Sequence, residues 1–127
     1  MALVSGGMDV YSSEVDDHGI DFVVKVGESR YLDIQVKSIR GMKYIFFPKS
    51  QFTPRKNLYA AVVVYIEEED PHLFLIPSVS WLKPNALMVE RNYGGLKSHP
   101  EWGLNISVRN WPLLARYRLD SVMREIK

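Results

Sequence analysis

Asp21 and the tripeptide Gln35-Val36-Lys37 are the residues of this 127-residue chain whose types and spacing best suit chemistry. A carboxylate can hold a divalent cation, and an amide oxygen can add to the coordination of a hard cation at lower affinity than a charged acid. A lysine beside them can steady an attacking water or the charge that builds on phosphorus. Together these groups suit metal-assisted attack on a phosphodiester. Such chemistry needs its groups on rigid, neighbouring elements.

The sequence around them supplies strands. Ile20 to Val26 reads as one strand, Gly27-Glu28-Ser29 as a hairpin connection, and Tyr31 to Ile39 as the next strand. In that second strand Leu32, Ile34 and Val36 point one way, and Asp33, Gln35 and Lys37 the other. A first strand is expected over Val10 to Val15, before turn chemistry at Asp16-Asp17-His18-Gly19. Lys43 to Pro48 reads as a further strand. Leu58 to Ile66 is the most apolar β-like run and is expected to be a central strand, and Leu73 to Ile76 returns as a strand. Ser78 is expected to cap a short turn over Val79 to Leu82. Residues 88–107 read as irregular, with a short strand at Ile106 to Val108. Asn110 is expected to cap a helix that runs from Trp111 to about Glu125. The pattern is α/β (α+β): a mixed central sheet flanked by helices, in one domain over residues 1–127.

Composition excludes several alternatives. With no cysteine, disulfides, thiolate metal sites and cysteine nucleophiles are ruled out. His18, His72 and His99 are too scattered to suggest a zinc centre. No apolar run approaches the roughly 20 residues of a membrane-spanning helix, and the N-terminus lacks a signal-peptide layout. A cytoplasmic protein without membrane contact is the expectation. Charge is segregated: residues 1–24 carry Asp9, Glu14, Asp16, Asp17 and Asp21 with no Lys or Arg. Residues 25–56 carry eight Lys or Arg against Glu28 and Asp33. An acidic segment beside a basic one with interleaved aromatics suits a metal site next to a phosphate-binding surface. It is equally the pattern of an ordinary solvated surface.

The order Gly19-Ile20-Asp21, strand, Ile34-Gln35-Val36-Lys37-Ser38 resembles the PD-(D/E)xK nuclease superfamily, in its Mrr-type restriction-endonuclease branch with Gln-x-Lys. The resemblance spans about residues 8–76. It implies a restriction-endonuclease-like fold and a metal-dependent endonuclease acting on DNA, with RNA left open as a substrate. It implies Mg²⁺ or Mn²⁺ as cofactor and a homodimer as the working form. By resemblance Asp21 and Gln35 are metal ligands along with the Val36 carbonyl, and Lys37 orients the water. The family usually carries another acid on a helix ahead of the first strand. Only Met1 to Met8 precede that strand here, so the chain reads as N-terminally truncated, with Glu14 and Asp33 as accessory acids. The alternative is a catalytically degenerate member that binds nucleic acid or serves in dimerisation.

Ser38, Arg40, Lys43, Lys49, Arg55 and Lys56 are expected to position a nucleic-acid backbone. Their plain reading is a solvated loop. Likewise Asp21 would simply cap a turn, and Lys37 and Asp33 would form a surface pair worth little. His18 could ligate a metal or act as a base, but lone turn histidines are more often just exposed. Tyr44, Phe46, Phe47 and Phe52 could stack on bases, with Phe46 and Phe47 more naturally core or dimer contact. Trp81, Trp102 and Trp111 read as core or interface. Glu67 to Asp70 reads as a solubilising turn.

Overall fold

Strand formation follows the apolar alternation, and the computed structural model describes residues 9–12, 20–92, 94 and 99–126. The order is β1 (Asp9–Ser12), β2 (Phe22–Val26), β3 (Arg30–Arg40), β4 (Tyr44–Pro48), β5 (Leu58–Tyr65) and β6 (His72–Pro77). A 3₁₀ turn (Ser78–Leu82), β7 (Met88–Arg91), β8 (Glu101–Asn105) and α1 (Trp111–Leu114) come next. A second 3₁₀ turn (Ala115–Tyr117) leads to α2 (Leu119–Ile126). The expected residues 13–15 of the first strand, the turn at 16–19, Glu14 and His18 lie outside the described residues.

The strands form two sheets. The larger runs β1-β2-β3-β5-β6, and the smaller β4-β8-β7. In the larger sheet β3 and β5 are parallel, while the other neighbours are antiparallel. Parallel neighbours need a crossover connection, and here it carries β4 out into the second sheet.

One face of the larger sheet packs Val24, Leu32, Ile34 and Leu75 against Val122 and Met123 of α2. The opposite face packs Ile39, Val62, Val64 and Phe74 against Ile45, Phe47 and Leu104 of the second sheet and Leu114 of α1. The result is α+β, with a mixed central sheet flanked by helices, as the sequence pattern implies. Burial from both sides explains the run Leu-Tyr-Ala-Ala-Val-Val-Val-Tyr of β5. At the centre, Phe47 and Phe52 stack with ring centroids 4.6 Å apart, and Trp81 meets both edge-on. Its indole N–H donates to the Gly103 carbonyl at 2.8 Å, so the ring is buried with its polar end satisfied.

Three expectations are corrected. Residues 88–107 hold β7 and β8 rather than irregular chain and a strand at 106–108. Gly103 weakens the β signal there, yet it is required, because a Cβ at that position would collide with the Tyr44 ring. The C-terminal helix is broken: Arg118 adopts an extended φ/ψ of −56/137 and bridges to Phe74 of β6. Neither presumed cap forms a side-chain cap bond. The Asn110 amide instead donates to the carbonyls of Ala86 and Asn105, and the Ser78 hydroxyl is used on Arg55.

Candidate active site

The β2–β3 hairpin sets the register of the site. It turns through Gly27, whose φ of +69° suits glycine, and pairs Val26 with Arg30 through to Phe22 with Ile34. Asp21, just ahead of β2, therefore lies alongside Gln35. Its backbone N–H donates to the Ile34 carbonyl at 2.9 Å, and its Oδ2 accepts the Val36 N–H at 2.7 Å. The carboxylate thus continues the ladder where β2 begins, held by a charge-assisted bond. Within a strand, the N–H and C=O of one residue point to the same edge. The Val36 carbonyl therefore faces the edge on which the Asp21 carboxylate lies.

Gln35 is 8 % exposed, and its Oε1 is buried with no hydrogen-bond partner among the described residues. An unpaired buried acceptor costs about 1–3 kcal/mol, and native folds carry few of them. Across the parallel ladder it faces Ala60, which offers only a methyl group. Lys37, two residues on and sharing its face, is half-buried opposite Val62. Its Nζ lies 5.7 Å from the Phe46 ring centroid and 5.6 Å from that of Phe47. Successive residues of a strand point to opposite faces, so the amine sits at the edge of β4 between a buried ring and an exposed one. The stem lies on apolar surface with the charge at its rim.

Asp33 turns to a different partner. Its carboxylate accepts from the Arg55 guanidinium. Arg55 is fixed in turn by Ser78, whose hydroxyl accepts its N–H at 3.0 Å and donates to its carbonyl at 2.9 Å. Among the expected phosphate-positioning residues, Ser38, Arg40, Lys43 and Lys56 are exposed. Lys49 is engaged by Glu90 and Asn92, with its Nζ 4.1 Å from the Trp102 ring centroid. The fold therefore gathers Asp21, Gln35, Val36 and Lys37, and holds Asp33 with Arg55 and Lys49 with Glu90.

Two clefts open at Arg55 and at Phe46. One, of about 270 Å³, is lined by Ile20, Ser50, Gln51, Thr53, Arg55 and Leu58. The other, of about 520 Å³, includes Phe46, Pro48, Gln51, His99 and Pro100. Ser50 and Gln51 line both. Sequence reasoning missed the hold of Ser78 on Arg55, and it misplaced one aromatic. Phe52 is fully buried and cannot stack on a base, whereas Phe46 is 44 % exposed and so is not core. Period-two alternation carried that signal: with Ile45 and Phe47 inward, Phe46 must face out.

Among the described residues no three His, Asp or Glu cluster as a metal site. The groups that could ligate a cation here are one carboxylate, one amide oxygen and one backbone carbonyl, all hard oxygens of the kind Mg²⁺ or Mn²⁺ takes. The unpaired Gln35 oxygen is the observation that fits such a cation.

No protein-family model matches this sequence, and no curated protein matches it. Among solved structures, the chain is similar to that of Hjc, a Holliday junction resolvase from the archaeal hyperthermophile Archaeoglobus fulgidus. The TM-score is 0.55 at 12% sequence identity, over 97% of this chain and 87% of that one. At that identity the likeness establishes the fold, which is restriction-endonuclease-like. Function has to be argued from the site.

Proposed function

We propose that residues 1–127 form a nuclease-like domain that hydrolyses DNA phosphodiester bonds with the help of Mg²⁺ or Mn²⁺. The observation that carries this reading is the Asp21 carboxylate fixed on the Val36 amide, beside the unpaired buried oxygen of Gln35. Asp21, Gln35 and the Val36 carbonyl would hold the cation. When bound, the cation would polarise the phosphate and lower the pKa of a coordinated water.

The chain's own residues do the rest. Lys37 presents its ammonium group at the rim of the cluster, where it donates to a phosphate oxygen or orients the attacking water. Arg55, fixed by Ser78 and paired with Asp33, offers a second cation in the wall of the smaller cleft. Ser38, Arg40, Lys43 and Lys56 add exposed positioning groups along the nucleic-acid backbone. The similarity to a Holliday junction resolvase supports DNA as the substrate, and the superfamily resemblance of the Asp21 and Gln-x-Lys pattern supports a homodimer as the working form. The Gln-x-Lys spacing supports the Mrr-type resemblance.

A second reading is favoured by the Asp33–Arg55 pair, which takes up the one acid of β3. On that reading the domain binds nucleic acid without cutting it. Purified protein incubated with supercoiled plasmid, single-stranded DNA and branched DNA, with Mg²⁺, Mn²⁺ or EDTA, separates the two. Metal-dependent cutting that disappears in Lys37→Ala establishes the nuclease. Salt-sensitive binding without cutting establishes the binding module.

A further inference from the structure

The outer face of the second sheet carries two aromatic rings that the core does not use. Tyr44 and Phe46 alternate with buried Ile45 and Phe47 along β4, and their rings lie 6.5 Å apart and only 23° from parallel. Tyr44 is fixed on three sides. Its hydroxyl donates to Glu101, its ring lies over the bare backbone of Gly103, and the Arg91 guanidinium sits 4.3 Å from its centroid. Phe46 is opposite Gly103 in the ladder, so no side chain on β8 stands across from it. The ring is 44 % exposed and forms one wall of the cleft of about 520 Å³, with Pro48, Gln51, His99 and Pro100 around it. The Lys37 amine lies 5.7 Å from its centroid.

We propose that this cleft receives an unpaired nucleobase stacked on Phe46, so that the site takes single-stranded or splayed nucleic acid in preference to intact duplex. The inference rests on the reading of Lys37 as a phosphate-facing residue. It goes further by naming the form of the substrate. A phosphate at Lys37 places the attached nucleoside beside Phe46. A base in a duplex has both faces covered by its neighbours and reaches such a ring only when it leaves the stack. An aromatic ring beside a cation is the arrangement that grips single strands with little regard to sequence. Ser50 and Gln51 line both this cleft and the one that Arg55 lines.

The test measures binding in EDTA, where cutting is stopped, by fluorescence anisotropy. The probes are a short labelled oligothymidylate, the same strand with abasic sites, and a duplex of equal length. Wild-type protein binds the base-bearing strand more tightly than either of the others. Phe46→Leu, which keeps apolar bulk without the ring face, weakens binding of the base-bearing strand about tenfold and leaves the abasic strand unchanged. Phe46→Trp restores the difference. Equal binding of base-bearing and abasic strands by wild type, or an unaltered Phe46→Leu, overturns the proposal. The cutting assay fails separately. Phe46-dependent binding with no metal-dependent cleavage removes the nuclease reading and upholds the base platform. Cleavage of duplex by a fully active Phe46→Leu does the reverse.

Discussion

The Asp21 side chain takes the place of a backbone partner for Val36, accepting its N–H at 2.7 Å. One residue therefore both ends a strand ladder and presents a carboxylate at the candidate site. The two roles separate by substitution. Asp21→Asn keeps an oxygen acceptor, whereas Asp21→Ala leaves the Val36 N–H part-buried and unpaired. We expect Asp21→Ala to lower the unfolding free energy by about 1–3 kcal/mol and Asp21→Asn by less than about 1 kcal/mol. Both should abolish cleavage. Urea unfolding and a plasmid assay measure the two effects, and wild-type cutting by Asp21→Asn would remove Asp21 from the chemistry.

Gln35 makes the opposite kind of prediction, in which function and stability conflict. Its Oε1 is buried and unpaired, so an apolar side chain of similar shape relieves a penalty. Gln35→Met should be neutral to about 1 kcal/mol more stable, and it should lose any rise in melting temperature on adding Mg²⁺ or Mn²⁺. Gln35→Glu should be less stable in EDTA and regain stability with the metal, because a buried carboxylate needs a counter-charge. Thermal melts of both variants with and without the cation decide this. If wild type and both variants respond to the metal alike, Gln35 is not a ligand.

What the sequence revealed depended on how local the signal was. The β2–β3 hairpin was readable because Gly27 and the alternation of residues 31–37 act within a few positions. β7 and β8 were not, because their pairing joins residues 44–48 to 101–105 and residues 88–91 to 101–104, and Gly103 conceals the strand it belongs to. The break at Arg118 was hidden for a similar reason, since its partner Phe74 lies on β6. At the site, the types Asp, Gln and Lys were legible. The capture of Asp33 by Arg55 was not, because only the crossover through β4 and the Ser78 anchor bring Arg55 to β3.

That capture gives a prediction about binding. Asp33 and Arg55 form a partly exposed pair, at 25% and 46% side-chain exposure, so its contribution to stability should stay below about 1 kcal/mol. Its effect on nucleic acid should be larger. Arg55→Ala should weaken oligonucleotide binding and reduce the slope of log affinity against log salt by about 1. Asp33→Asn releases the guanidinium and should tighten binding several-fold. Titrations at a series of salt concentrations read both effects, and tighter binding by Arg55→Ala would exclude Arg55 from the interface.

The last prediction concerns pH and the second sheet. Lys49, just after β4, reaches Glu90 on β7 while lying over Trp102 on β8, so a single amine touches all three strands or their ends. The hydrogen bond from Lys49 holds the Glu90 carboxyl below its ordinary value of 4.5, with the charge of Lys49 and a bond from Asn92 adding to it against some desolvation. A depressed carboxyl binds fewer protons folded than unfolded just below that value, so stability falls as pH falls there. The contribution is complete above about pH 4.5 and is lost as pH drops through the lower folded value. Glu90→Gln should therefore be less stable than wild type at neutral pH, and the two urea-unfolding curves should converge in acid. A gap that persists unchanged below the folded value would mean that Glu90 acts through packing rather than through its charge.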